Sequence, residues 1–204
     1  MKILSYNCRG LARPDKKLAL RRLLFAETLD IIFLQETLGP AKDIARTLEH
    51  SLPGWRFTGL DAHGRSGGLA MGLNTRSIKE INCWGGQGYI VVDVHSAVLG
   101  LPFRIINIYG PFQNHPDFRD RLLNLELFSA ENLIVRGDLN FSIVHAESWG
   151  HRAQRDSLLD YFSSILDQHH LIDIPAAKIQ ATWRNNRVGE NGLARRLDRF
   201  LVKE

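Results

Sequence analysis

The chain carries only two cysteines, Cys8 and Cys83, among its 204 residues. They form neither a CxxC metal spacing nor a multi-bridge framework, which excludes a disulfide-stapled scaffold and favours a reducing compartment. Long apolar runs are also missing. None approaches the roughly 20 residues that a membrane-spanning helix needs, and Met1 to Leu4 is too short for the apolar core of a signal peptide. The expectation is a soluble chain without a visible address. There is no Pro/Ser-rich linker, internal repeat or low-complexity tract, so a single domain over residues 1–204 is the natural reading. What is present is 44% hydrophobic residues with 24% charged ones, the balance of a globular domain able to bury a core. The formal net charge is +4 and the pI is near 9.3, which favours a polyanionic partner if the cations gather on one face.

Short apolar segments rich in Ile, Val and Phe alternate with amphipathic ones, the pattern of a mixed α/β domain. Lys2 to Tyr6 reads as a first strand and Asp30 to Gln35 as a second, buried one. Between them Leu20, Leu23 and Leu24 recur at helical spacing behind Pro14 and Asp15, both good helix-start residues. From Gly54 to Tyr109 the texture becomes a series of short strands separated by Gly-rich turns, which reads as an antiparallel meander. Helices are expected at Pro116 to Phe128 and at Arg155 to His169, with a buried strand from Asn132 to Arg136 between them. A hairpin follows, from Thr182-Trp183 to Ala194–Val202, across the polar loop Asn185 to Gly192. The whole reads as two packed sheets with helices outside.

Several polar residues fall at strand ends: Asn7, Glu36, Tyr109, and Asp138 with Asn140. Side chains at the ends of neighbouring buried strands can converge on one rigid rim. Glu36 is a natural hard oxygen ligand for Mg²⁺, which takes one or two carboxylates and fills its other positions with water and substrate phosphate. Asp138 could orient or deprotonate a water, while Asn140 and Tyr109 could donate hydrogen bonds to charge growing on phosphorus. Each also has a purely structural reading. Asn7, Asp138 and Asn140 suit turns, Glu36 suits the first turn of a helix, Tyr109 suits a strand stop and Trp183 a half-buried core position.

The segments SYNCRGL at the start, LQET at Leu34 to Thr37, NIYGP at Asn107 to Pro111, RGDLN at Arg136 to Asn140, ATW at Ala181 to Trp183 and RRLDRFLV at Arg195 to Val202 occur in one fixed order. Together they resemble the endonuclease/exonuclease/phosphatase (DNase-I-like) superfamily, and within it the apurinic-type endonuclease domain of plant LINE, or non-LTR, retrotransposon proteins. The resemblance implies an α/β fold, a four-layer sandwich of two mixed, mainly antiparallel sheets flanked by helices. It implies a nuclear, Mg²⁺-dependent hydrolase, with Mn²⁺ as a substitute, that nicks one strand of double-stranded DNA and so primes reverse transcription. On the same basis Glu36 holds the metal with help from Asn7, Tyr109 and Asn140 steady the scissile phosphate, and Asp138 handles the attacking water. Thr182 lies beside the DNA backbone, and Asp198 orients a catalytic histidine.

Two departures stand out. Repair-type relatives have an acidic residue two positions after the opening Asn, where this chain has Arg9. The family also closes with a Ser-Asp-His strand after LDRFLV, whereas this sequence ends at Lys203-Glu204. The expectations drawn from that ending are impaired catalysis and an unpaired strand edge at Arg196 to Val202 that invites self-association. Basic residues are densest near the C-terminus: Arg184, Arg187, Arg195, Arg196 and Arg199, with Arg152 and Arg155 upstream. Of these, Arg155, Arg184, Arg187 and Arg196 are the candidate phosphate contacts, and the loop Asn185 to Gly192 is the candidate groove probe. Two other functions fit the same sequence, a nucleic-acid-binding module without catalysis and a small-molecule phosphodiesterase or phosphatase of the same superfamily.

Overall fold

A computed structural model of the chain describes residues 1–63, 66–110, 127–140, 145–150 and 159–203. Strand β1 (Ile3–Asn7) runs parallel to β2 (Ile31–Gln35), with helix α1 (Pro14–Glu27) between them. Pro14 suits the first helical position, where its missing N–H would be unpaired anyway. The helix stops where Thr28 turns left-handed at φ 47°. Helix α2 (Ala41–Ser51) went unforeseen in the sequence, because only Ile44 and Leu48 of its charged surface are buried.

Five strands follow: β3 (Trp55–His63), β4 (Ser66–Asn74), β5 (Ile78–Gly86), β6 (Tyr89–Ser96) and β7 (Leu101–Tyr109). They were expected to form one meander, but the chain changes sheets between β4 and β5. Beyond them lie β8 (Leu133–Asp138), β9 (Ser148–Trp149), α3 (Leu159–Gln168), β10 (Leu171–Asp173), β11 (Trp183–Arg184), β12 (Ala194–Arg195) and β13 (Asp198–Lys203). The sheets are a four-stranded one ordered β1-β2-β4-β3, a six-stranded one ordered β10-β13-β8-β7-β6-β5, and a three-stranded one ordered β11-β12-β9. The helix expected from Pro116 lies outside the described residues, apart from a 3-10 turn at Leu127–Ser129; so does the start of the helix expected from Arg155.

Strand β2 explains the layering. All five of its residues are buried, and successive side chains on a strand point to opposite faces. Ile31 and Phe33 meet Ile90, Val92 and Ile105 of the facing sheet. Ile32 and Leu34 pack with Leu20 and Leu24 of α1 and Leu48 of α2. On the far side of the six-stranded sheet, Ile106, Ile108 and Val135 pack with Phe162 and Ile165 of α3. The fold is therefore a four-layer α/β sandwich, helix, sheet, sheet, helix.

One expectation about the chain end is overturned. The strand foreseen from Ala194 to Val202 breaks at Arg196-Leu197 into β12 and β13, which belong to different sheets. Strand β13 pairs with β8 on one side and β10 on the other, and Ile174 N–H reaches Phe200 O beyond the end of β10. The edge at Arg196 to Val202 is thus covered, and self-association through it loses its physical basis.

Candidate active site

Strands from both large sheets end at one rim. Asn7 closes β1, Glu36 follows β2, Tyr109 closes β7 and Asp138 closes β8. Glu36 adopts φ 50°, a left-handed conformation that a non-glycine residue keeps only where its surroundings impose it. Asn7 Nδ2 donates to Glu36 Oε1 at 2.8 Å, and the Tyr109 hydroxyl donates to the same oxygen at 3.2 Å. Burial first, and then the charges of Glu36 and Asp138, push the Tyr109 hydroxyl upward, so it stays a donor. Among the described residues none hydrogen-bonds Glu36 Oε2.

The parallel register of β7 and β8 sets Tyr109 beside Asp138. That closeness requires Gly137, since a Cβ there would stand 1.8 Å from Ile108 O. Asn140, at φ 57°, gives its backbone N–H to Asp138 Oδ1 at 3.0 Å, and its side-chain amide donates to Gly110 O. Asp138 is 6% exposed, and its carboxyl is pushed up to about 6, first by desolvation and then by the charge of Asp198. Asp198 faces it directly across the β8–β13 ladder. Thr182 Oγ1 accepts the N–H groups of Leu197 at 3.0 Å and of Asp198 at 3.2 Å, which secures the turn carrying Asp198. A groove of about 530 Å³ adjoins these groups and is lined by Ser5, Asn7, Arg9, Lys16, Arg136, Thr182 and Asp198 among others.

The donor set fits a hard cation. Among the described residues no three His, Cys, Asp or Glu gather, so these residues offer the Glu36 carboxylate rather than a closed cage. That suits Mg²⁺, which keeps several waters and takes phosphate oxygens from its substrate; a structural zinc site would need four protein ligands.

Of the residues singled out in the sequence, Asn7, Glu36, Tyr109, Asp138, Asn140, Asp198 and Thr182 are brought to this rim. Arg184 and Arg187 lie exposed on the hairpin that leaves Thr182. Arg155 lies outside the described residues. Arg196 is a correction: it is 6% exposed and its guanidinium pairs with Glu147 at 2.6 Å and with Asp173 at 2.9 and 3.1 Å. Arg199, 1% exposed, reaches the same two carboxylates. Both arginines fasten β13 to its surroundings, and neither has a free face for a phosphate.

Sequence reasoning missed the support beneath the rim. Gln35 and Asn107 are both 0% exposed, and Gln35 Nε2 donates to Asn107 Oδ1 at 2.8 Å. Asn107 Nδ2 in turn donates to Leu34 O at 3.3 Å and Ala70 O at 3.1 Å, tying one sheet to the other one residue behind Glu36 and two behind Tyr109. The available signal was an amide set among the buried apolar residues of each of these two strands.

A model of the Endonuclease/Exonuclease/phosphatase family matches residues 4–204. Among curated proteins no sequence match is found. Solved structures with a similar fold include the endonuclease domain of TRAS1, a telomere-specific non-LTR retrotransposon, at TM-score 0.73 and 16% identity over 99% of this chain and 84% of that one. An AP endonuclease from Archaeoglobus fulgidus matches at TM-score 0.72 and 18% identity, over 100% of this chain and 86% of that one. A mannosyl-6-phosphatase from Bacteroides thetaiotaomicron matches at TM-score 0.64 and 15% identity, over 98% and 84%.

Proposed function

From the premise that this chain belongs to the Endonuclease/Exonuclease/phosphatase family, and is thus of a hydrolase class that cleaves phosphoesters, we propose that it is a Mg²⁺-dependent endonuclease that nicks one strand of duplex DNA, in the service of retrotransposon insertion. The observation that carries the reading is the pairing of Asn7 and Tyr109 on one oxygen of Glu36, while no described residue hydrogen-bonds the other. The metal, held by Glu36 with Asn7 at its side, would supply positive charge to a phosphate oxygen. Asp138 takes the proton of the attacking water: with its carboxyl pushed up to about 6, it is ionised above neutrality yet more basic than an ordinary aspartate. As charge builds on the phosphate oxygens, the Tyr109 hydroxyl would turn its single proton to them from Glu36 Oε1, and the Asn140 amide would offer an N–H beside it. Exposed Arg184 and Arg187 give the hairpin a cationic face for neighbouring phosphates. DNA is favoured as substrate over a small phosphoester by that face and by the likeness to the TRAS1 domain.

The test is conversion of supercoiled plasmid to open circle in Mg²⁺. Nicking that EDTA abolishes, and that Glu36→Gln lowers at least 100-fold without unfolding the protein, is the expected outcome. Full activity in Glu36→Gln overturns the site. Retention of plasmid without nicking points to a binding module instead, and turnover of a soluble phosphomonoester without nicking points to a phosphatase.

A further inference from the structure

The three-stranded sheet β11-β12-β9 takes no part in the chemical steps above, yet it presents an exposed face. Residues directly opposite on an antiparallel ladder share a face. The register sets Arg184 opposite Ala194 and Ala194 opposite Trp149, so these three side chains form one row across the sheet. The neighbouring row, Trp183, Arg195 and Ser148, lies on the other face, and all three of its residues are half-buried. In the first row the two ends are exposed, Trp149 at 37% and Arg184 with it, while Ala194 between them is buried. With strands about 4.8 Å apart, the ring and the guanidinium rise from positions about 10 Å apart, over a floor no larger than a methyl group. The sheet is also pinned. Glu147 immediately precedes β9 and Arg196 immediately follows β12; their side chains pair at 2.6 Å, and Arg196 N–H donates to Glu147 O at 3.1 Å. Thr182 N–H donates to Arg195 O at 2.9 Å, which joins the same frame to the turn carrying Asp198.

We propose that Trp149 and Arg184 form a binding site for an unpaired nucleotide of single-stranded DNA, the base lying on the indole and a neighbouring phosphate meeting the guanidinium. A lone exposed aromatic means little, but here a ring and a cation share one row of a fixed sheet. The segment Thr182 to Arg195 carries three arginines against one glutamate, which favours a polyanion over an apolar partner. Stacking on an aromatic side chain is open to every base, since each has a π-face. It requires a base that has left its neighbours, because both faces of a base inside intact duplex are already covered. The ligand class therefore differs from the duplex substrate proposed above. That the bound strand is the one freed by a nick rests on that function; the stacking does not.

The test is made in EDTA, so that no cleavage intervenes. Binding of a labelled thymidine oligonucleotide of about 12 residues, and of a blunt duplex of the same length, is followed by fluorescence anisotropy for wild type, Trp149→Ala and Arg184→Ala. Trp149→Ala should weaken single-strand binding at least about fivefold, the low end of what losing one base-stacking ring does, and leave duplex affinity unchanged. Arg184→Ala should lower the salt slope of single-strand binding by about 0.7, the share of one phosphate contact. Trp149→Phe, which keeps a ring, should retain most of the affinity while the quenching of tryptophan emission by the oligonucleotide disappears. Wild-type affinity for the oligonucleotide in folded Trp149→Ala overturns the site, as does a loss of the same size on duplex. Either of these in a chain that nicks plasmid with Mg²⁺ leaves the nuclease reading intact. The expected losses in a chain that never nicks support the stacking site and remove the nuclease reading. Should Trp149→Ala not fold, Trp149→Leu, which keeps apolar bulk without a π-face, carries the same expectation.

Discussion

Replacing Asp138 by Asn makes the protein more stable while it removes nicking. The carboxyl is 6% exposed and faces Asp198 across the ladder, and together these raise it from 3.8 to about 6. That is about two units, and each unit of difference between folded and unfolded states is worth about 1.4 kcal/mol. Because the folded value is the higher one, the protonated form favours folding. That stabilisation is fully present below pH 4 and is lost as pH rises through about 6. Near pH 8 the ionised Asp138 thus weakens the fold by roughly 3 kcal/mol. An isosteric amide does not ionise. Asp138→Asn should therefore unfold at higher urea than wild type at pH 8, with a gain of roughly 2–3 kcal/mol, or about 4–12 °C in Tm for a domain of this size. The gain should vanish near pH 4, where the wild-type side chain is itself protonated. Equal stability of the two proteins at pH 8, or a difference that does not change with pH, refutes the reasoning, because the carboxylate would then sit in no strained electrostatic position. Plasmid nicking measured on the same preparations should be lost throughout.

Four further outcomes follow from the same geometry. Wild-type nicking should fall as pH drops through about 6, the point at which Asp138 takes up its proton, and a rate that is flat between pH 5 and 8 contradicts its role as base. Arg196→Met strands Glu147 and Asp173 with one cation instead of two and should cost about 3–5 kcal/mol in urea unfolding. It should leave the salt dependence of DNA binding unchanged, whereas Arg187→Ala should reduce that slope by about one and leave stability alone. Asn107→Leu leaves Gln35 and two carbonyls without their partner, at a cost of about 1–3 kcal/mol; an unaltered unfolding midpoint would show that the bridge between sheets is dispensable. Gly137→Ala should abolish nicking by spreading β7 from β8, as its Cβ meets Ile108 O at 1.8 Å, and a fully active variant would show that the two strands tolerate separation.

The sequence by itself determined the class of fold and the parts of the site. The β-branched apolar run Ile31 to Leu34 fits a buried strand, the Leu20 and Leu24 spacing fits one buried helical face, and polar residues that end such strands stand out against them. Six motifs in one order were enough to mark the family. What the tertiary structure alone decided is which distant groups share a surface. Nothing local tells that β4 and β5 part into different sheets, because an antiparallel strand has the same alternation wherever it pairs. Nor does a run of arginines reveal its surroundings. Arg187 and Arg196 look alike in sequence, yet one is exposed and the other is enclosed by Glu147 and Asp173, residues 49 and 23 positions away. The opposition of Asp138 to Asp198 is a matter of strand register. A slip of one residue would turn those side chains to the other face, and register is set by the packing of the whole sandwich.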